Sequence, residues 1–280
     1  MKILYNEPLA KYTTIKIGGI AENLYFPEST DELKEVVQQK GCQYIIGGGS
    51  NLLINDERVY SNVICLKFFN NNIVKKTDDE YIVGAGVKLQ TLIKRINDDG
   101  FGGIEYLYSV PGLVGGAVVM NAGRGKNLSQ TISDYIISVD VLKENEAITL
   151  KKEECQFAHR SSIFKNSDYI VLSVRLKFPL QEREVSENLR RNRIQYCKEH
   201  QDNSCPNFGS VFRSSSGIIM KFVKNIGLKR GKAHFSKKTL NWILKDENGT
   251  FKDVVNVIDS VKKIHKFVGK QADCEVIIWE

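Results

Sequence analysis

Tyr44-Ile45-Ile46-Gly47-Gly48-Gly49-Ser50-Asn51-Leu52-Leu53 is the stretch on which the reading of this chain turns. The apolar residues 44 to 46 predict a short strand, and the strand runs into three residues without a Cβ. Such a turn exposes successive backbone N–H groups, with a hydroxyl and an amide just beyond, and that arrangement suits a pyrophosphate. It is not a P-loop, because no Gly-Lys-Ser/Thr follows. It also departs from G-x-G-x-x-G, since Leu52 holds the third glycine position, as Leu89 does after Gly84-Ala85-Gly86. Three glycines alone fit a flexible turn equally well.

A second glycine-rich stretch runs Ser109-Val110-Pro111-Gly112-Leu113-Val114-Gly115-Gly116-Ala117-Val118-Val119-Met120-Asn121-Ala122-Gly123, with no charged residue. It reads as backbone laid against something flat and apolar, or as a small-residue helix packed tightly in a core. Glycine is concentrated in this half, with 16 of the 22 glycines between Gly18 and Gly125. Charge is skewed the other way. Residues 1 to 180 hold 21 basic and 21 acidic side chains, residues 181 to 280 hold 19 and 12, and the whole excess of +7 lies in the last hundred residues. That segment is expected to handle an anion.

Around the glycine stretches the chain reads as mixed helix and strand. Ser29-Thr30-Asp31-Glu32 has the form of a capping box that opens a helix closed by Gly41. Strands are expected at 62 to 68, 80 to 86, in YIISVDVL and in DYIVLSVRLKF, with a helix at KLQTLIKRINDD ending at Gly100. From Glu182 to His200 a helix is polar almost all round, which suits a connector, so a boundary is placed at 180/181. Beyond it lie a loop around CPNFGSVFRSSSG, a helix from about Phe251 to Phe267 and a final strand CEVIIW. The six cysteines include no C-x-x-C pair and read as reduced thiols, and no metal site is expected. MKILYNEPLA has no apolar h-region, and no run approaches the ~18 apolar residues of a membrane span. A cytoplasmic protein with no membrane partner is expected.

Thr13-Thr14-Ile15-Lys16-Ile17-Gly18-Gly19, then Ile46-Gly47-Gly48-Gly49-Ser50-Asn51-Leu52, then Val110-Pro111-Gly112 to Asn121-Ala122-Gly123 together resemble the flavin-binding region of the UDP-N-acetylenolpyruvoylglucosamine reductase (MurB) family. Cys155 to Lys165, Gly209-Ser210-Val211-Phe212 and Glu275-Val276 extend the resemblance over nearly the whole chain. It implies an α+β architecture: an FAD-binding fold of the vanillyl-alcohol-oxidase (PCMH) type over 1 to 180, with a smaller substrate-binding α+β domain over 181 to 280. The length is similar to the family's shorter type.

The resemblance further implies NADPH-dependent reduction of the enolpyruvyl ether of a UDP-sugar through FAD, giving UDP-N-acetylmuramate for peptidoglycan. On this reading FAD is held by Ile46, Gly47, Gly48, Gly49, Ser50, Asn51 and Leu52. Ser109, Pro111, Gly112, Gly115, Gly116, Ala117, Asn121, Ala122 and Gly123 complete that set. Hydride addition to the enolpyruvyl group builds charge on its carboxylate, which a cation or an acid stabilises, and Arg160 and Glu275 match those positions. Ser210 matches the residue that protonates the other alkene carbon. By residue type alone each has a plainer reading, as a solvated arginine, a loop serine and a solvent-facing strand glutamate.

His159 and Arg213 are read as substrate-binding, although the family usually has Tyr beside the arginine and Lys-Asn-Pro where this chain has Arg213-Ser214-Ser215. Lys229 to Ser236 and Asn241 to Lys245 keep the family pattern only in part. A flavoprotein with another substrate would tolerate these changes. A nucleic-acid partner is not expected, because +7 on 280 residues is modest and Arg190-Arg191-Asn192-Arg193 lacks interleaved aromatics. A monomer is expected.

Overall fold

The structure, a computed structural model, describes residues 1–41, 44–124 and 130–280. Cys42 and Gly125, counted above, lie outside the described residues. The chain forms two units: one comprises Met1–Leu4, Leu24–Gly48 and Asn62–Cys197, and the other Tyr5–Asn23, Gly49–Ser61 and Lys198–Glu280. Each has its own apolar core.

The first unit is built on an antiparallel five-stranded sheet in the order Glu146–Lys151, Ile136–Lys143, Ile170–Lys177, Glu80–Gly84, Ile73–Lys75. Alternation puts one side of each strand inward. Val139 pairs with Val174 and Val174 with Val83, and all three are fully buried, so one row of β-branched side chains crosses three strands. Helix α1 (Thr30–Lys40) starts as its sequence predicts: Ser29 Oγ accepts the Glu32 N–H at 3.3 Å, and Gly41 closes it at φ 65. Helix α2 (Leu89–Asp98) buries Leu89, Leu92, Ile93 and Ile96, the i, i+3, i+4, i+7 stripe of a helix laid on a core. Asn97 follows on that face. Its Nδ2 donates to the Phe101 carbonyl at 2.9 Å and to Glu105 at 2.7 Å, while its buried Oδ1 has no partner among the described residues. The small-residue stretch forms α3 (Val114–Val119).

Helix α4 (Arg183–His200) is as polar as its sequence, with only Ser186 and Cys197 buried. It nevertheless packs with the first unit: Gln181, just before it, reaches Glu105 at 3.0 Å and Ser186 of the helix at 2.7 Å, and Arg193 Nε donates to Ser109 Oγ at 2.8 Å. The packing boundary therefore falls at Cys197/Lys198, later than the 180/181 boundary drawn from polarity, and two earlier segments join the second unit. Side-chain hydrogen bonds, invisible to an apolar pattern, place α4.

In the second unit, strands Lys229–Arg230, Ala233–Phe235 and Ile243–Lys245 form an antiparallel sheet, with α5 (Gly217–Ile226) and α6 (Phe251–Phe267) beside it. A reciprocal capping box opens α6: Thr250 Oγ1 accepts the Asp253 N–H at 3.2 Å, and Asp253 accepts the Thr250 N–H at 3.1 Å. Val254, Val257, Ile258 and Val261 bury its inner face.

The expected single strand CEVIIW is two strands. Asp273–Cys274 pairs with Phe212–Ser214, whereas Ile277–Trp279 pairs in parallel with Leu52–Ile54. The chain changes partner at Glu275: the Glu275 N–H goes to the Val211 carbonyl at 2.7 Å, and the Ile277 N–H goes to the Asn51 carbonyl at 3.1 Å.

Candidate active site

In the first unit the two glycine stretches lie backbone against backbone. A Cβ at Gly48 would stand 2.8 Å from Gly112 Cα, so Gly48 tolerates no side chain there. A Cβ at Gly47 or Gly116 would meet nothing within 4 Å among the described residues beyond its chain neighbours. These two therefore present open backbone, which is what a ligand approaching the main chain requires. Gly115 has a different reason: its Cβ would lie 2.8 Å from Ala85 Cβ, and its N–H bonds the Ala85 carbonyl at 2.9 Å. Close packing thus accounts for Gly115, whereas Gly116 leaves its backbone open. Ile46, Ala117 and Ala122 are buried, Pro111 is exposed, and Gly123 pairs with Thr131.

Arg160 lies on a tight turn. Ala158 and Ser161 exchange both backbone bonds, at 3.0 and 3.2 Å, leaving His159 and Arg160 at the tip. Arg160 has φ 54, a left-handed conformation that an L side chain adopts at a cost of about 1–2 kcal/mol. The turn is anchored to α3 twice. Asn121 Nδ2 donates to the Ala158 carbonyl at 3.0 Å, and Ser162 Oγ donates to the Val119 carbonyl at 2.7 Å. The end of the glycine helix thus fixes where Arg160 stands, with Arg160 half-buried and His159 exposed.

Sequence reasoning missed Tyr106. Its hydroxyl is buried and has no hydrogen-bond partner among the described residues. Burial, reinforced by Tyr135, Asp134 and Glu105, pushes its pKa far up, and the nearby Arg160 charge opposes this only in part. It therefore remains a protonated donor without an acceptor, in a unit where such a group is costly. Its position just before the second glycine stretch was the available signal.

In the second unit Gly49 has φ 62, and a Cβ there would fall 1.8 Å from the Tyr12 carbonyl oxygen. Only glycine fits. The Gly49 carbonyl accepts the Thr14 N–H at 3.1 Å, and the buried Thr14 hydroxyl has no partner among the described residues. Leu52 is buried, and Ser50 is half-buried. Asn51 Nδ2 donates to the Glu275 carbonyl at 3.2 Å. Because the Glu275 N–H bonds Val211, Glu275 sits one residue across from Ser210. Ser210 is exposed, bridges Trp242 and follows Gly209 at φ 78. Asn241 holds this stretch, accepting the Phe212 N–H at 3.0 Å and donating to the Phe212 carbonyl at 2.8 Å. The structure thus brings Asn51, Ser210 and Glu275 together within one unit. Arg160 belongs to the other, and Arg213 is exposed on the strand after Ser210.

Open backbone at Gly47 and Gly116, with an unpartnered buried hydroxyl at Tyr106, fits a bulky ligand held by main-chain N–H groups. Comparison with known proteins agrees. Residues 21–149 match the family model described as FAD binding domain. The UDP-N-acetylenolpyruvoylglucosamine reductase of Caldanaerobacter subterraneus subsp. tengcongensis is 33% identical over 274 residues, covering 95% of this chain and 89% of the relative. The crystal structure of the reductase of that name from Thermus caldophilus superposes with a TM-score of 0.82 at 27% identity, covering 100% of this chain and 98% of that one. The fold alone is shared with 6-hydroxy-D-nicotine oxidase from Arthrobacter nicotinovorans, at a TM-score of 0.51 and 16% identity over 64% of this chain and 42% of that one. With relatives matched along nearly its full length, this chain belongs to the UDP-N-acetylenolpyruvoylglucosamine reductase family.

Proposed function

We propose that this chain reduces UDP-N-acetylglucosamine enolpyruvate to UDP-N-acetylmuramate, a peptidoglycan precursor, with NADPH as the reductant. It is an FAD oxidoreductase, and the observation that carries the reading is the tie from the glycine loop through Asn51 to Glu275 and on to Ser210. That tie supports reading Ser210 as the proton donor and Glu275 as the acid, both in the unit that holds Asn51. When bound, FAD supplies the hydride carrier that accepts from NADPH and delivers to the alkene.

The chain's own residues do the rest. Open main chain at Gly47 and Gly116 receives the cofactor, and the Gly48 to Gly112 approach holds the two stretches in register. Arg160 offers a fixed cation to the substrate carboxylate, where charge develops as hydride adds, and its anchored turn limits its motion. Ser210 gives its hydroxyl proton to the carbon that did not receive hydride, and Glu275 joins Arg160 in stabilising the charge that develops on the carboxylate. His159 and Arg213 bind the substrate. A cytoplasmic monomer serving cell-wall synthesis, and with it cell shape and division, completes the proposal. Among the described residues no helix is long and apolar enough to cross a membrane.

The test separates two half-reactions. Protein reduced anaerobically by NADPH should regain oxidised-flavin absorbance on addition of the enolpyruvyl UDP-sugar. Ser210→Ala should leave the first step intact and slow the second by about 10²- to 10⁴-fold. No reoxidation by that substrate overturns the function. Equal slowing of both steps overturns the role of Ser210.

A further inference from the structure

Helix α5 is apolar on more of its surface than one core needs. Ile219, Met220 and Val223 face the core of the second unit. Ile218, Phe222 and Ile226, at i, i+4 and i+8, form a second stripe that is 77%, 54% and 53% exposed. The end of α6 adds to it, with Phe267 91% and Val268 51% exposed. The two ends are held together: His265 Nε2 accepts the Ser216 N–H at 3.0 Å, and Lys270 Nζ donates to Ser216 Oγ at 3.3 Å. Ser216 precedes α5, and His265 and Lys270 flank Phe267 and Val268. Five large apolar side chains therefore emerge from the same helix pair. Large apolar side chains left exposed on one helix pair mark an interaction surface.

The charges beside it select the partner. Lys221, Lys263, Lys266 and Lys270 are all exposed, and the carboxylates nearest in sequence are Asp259 and Asp273. A second copy of this chain docking through a two-fold axis would bring lysines against lysines. Phe267, at 91% exposure, projects into solvent, which fits a deformable phase better than a rigid partner groove. We propose that the α5/α6 end of the second unit docks on an anionic phospholipid bilayer, its apolar side chains entering the acyl boundary and its lysines meeting phosphates. This is contact with the membrane surface and not a span. It departs from the sequence expectation of no membrane partner, which rested on the lack of a span.

The test is flotation of the FAD-loaded protein with two kinds of vesicle, one of phosphatidylcholine alone and one of equimolar phosphatidylcholine and phosphatidylglycerol. The protein should float with the mixed vesicles only, and added salt should weaken the association. Phe222→Ser with Phe267→Ser should weaken it by at least about tenfold. Lys266→Glu with Lys270→Glu should weaken it by at least about fivefold. NADPH reduction of the flavin should be unchanged in both variants. If the double serine variant lost its flavin, Phe267→Ser alone, at the most exposed of these side chains, would carry the test. Failure to float, equal flotation with both vesicles, or indifference to both variants overturns the proposal. So does a concentration-dependent dimer abolished by Phe222→Ser, which would make this a self-association face.

Discussion

The side-chain amide of Asn51 donates to the main-chain carbonyl of Glu275 at 3.2 Å, across 224 residues of sequence. The same asparagine accepts the Ile277 N–H on its own carbonyl at 3.1 Å, so it holds the chain on both sides of Val276, directly after the change of partner at Glu275. If the loop meets the cofactor as proposed, Asn51 links it through one side chain to the backbone of Glu275, the proposed acid.

Asn51→Ala should therefore destabilise the protein by about 1–2 kcal/mol, the typical penalty for leaving a partly buried acceptor unmatched. Asn51→Asp should be worse, because a carboxylate cannot donate and would face the Glu275 carbonyl oxygen. Urea unfolding of the two variants and the parent should rank them in that order. Unchanged midpoints would mean that the backbone bond to Ile277 suffices.

The sequence discloses what depends on local pattern. The α1 cap at Ser29, the α2 stripe and the full span of α6 were legible because capping chemistry and a 3.6-residue period are written in consecutive residues. Helix α5 was not. Its apolar residues on two faces blur the period, and it follows a serine-rich loop without a side-chain cap. The break in CEVIIW was hidden as well, since six residues of strand-forming type carry no sign that Asn51 and Val211 compete for their backbone. Among site residues, glycine marks itself by composition. Tyr106 shows only its place before the second glycine stretch, because an orphaned hydroxyl is a property of the packed interior.

Gly47→Ala and Gly49→Ala should fail in different ways. At Gly49 the added methyl meets the Tyr12 carbonyl at 1.8 Å and φ is 62, so the backbone must move and the apoprotein should lose stability, by more than the ~1 kcal/mol of the left-handed conformation alone. At Gly47 nothing among the described residues, its chain neighbours aside, lies within 4 Å of the new Cβ. The Gly47 variant should melt like the parent without cofactor, yet bind FAD more weakly. Thermal unfolding of apoprotein with a flavin titration distinguishes them, and tight flavin binding by Gly47→Ala would remove that residue from the cofactor contact.

Asp202 gives the second unit a calculable response to acid. Burial alone would raise its carboxyl pKa, but hydrogen bonds from Ser204 and Ser236, with the Lys238 charge, bring it below the ordinary 3.8. The Ser204 hydroxyl donates at 2.6 Å and the Ser236 hydroxyl at 2.7 Å. A carboxyl whose pKa is depressed in the folded state contributes stability that is present above its unfolded value and is lost as pH falls through the folded one. The stability gap between the parent and Asp202→Asn should therefore be widest above pH 3.8 and shrink below it. A gap independent of pH across that range would show that the ionised carboxylate contributes nothing.

Arg160 sets conformation against chemistry. Its φ of 54 at the tip of the Ala158 to Ser161 turn is one that glycine adopts freely and other residues do not. Arg160→Ala and Arg160→Gly both remove the guanidinium and every contact it makes, so comparing them isolates the backbone. Alanine retains the left-handed penalty of about 1–2 kcal/mol, whereas glycine escapes it but loses about 0.4–1 kcal/mol through the freedom of its unfolded chain. Arg160→Gly should thus be the more stable of the pair by about 0.5–1 kcal/mol in urea unfolding. In the flavin half-reactions the two should be indistinguishable, each slowing reoxidation by the enolpyruvyl substrate about 10²- to 10³-fold while leaving NADPH reduction nearly intact. A more stable alanine variant would show that the turn relaxes once the guanidinium is gone, and the strain would then be imposed by the side chain's own contacts. A faster glycine variant would show that mobility at the tip, and not the cation, limits the step.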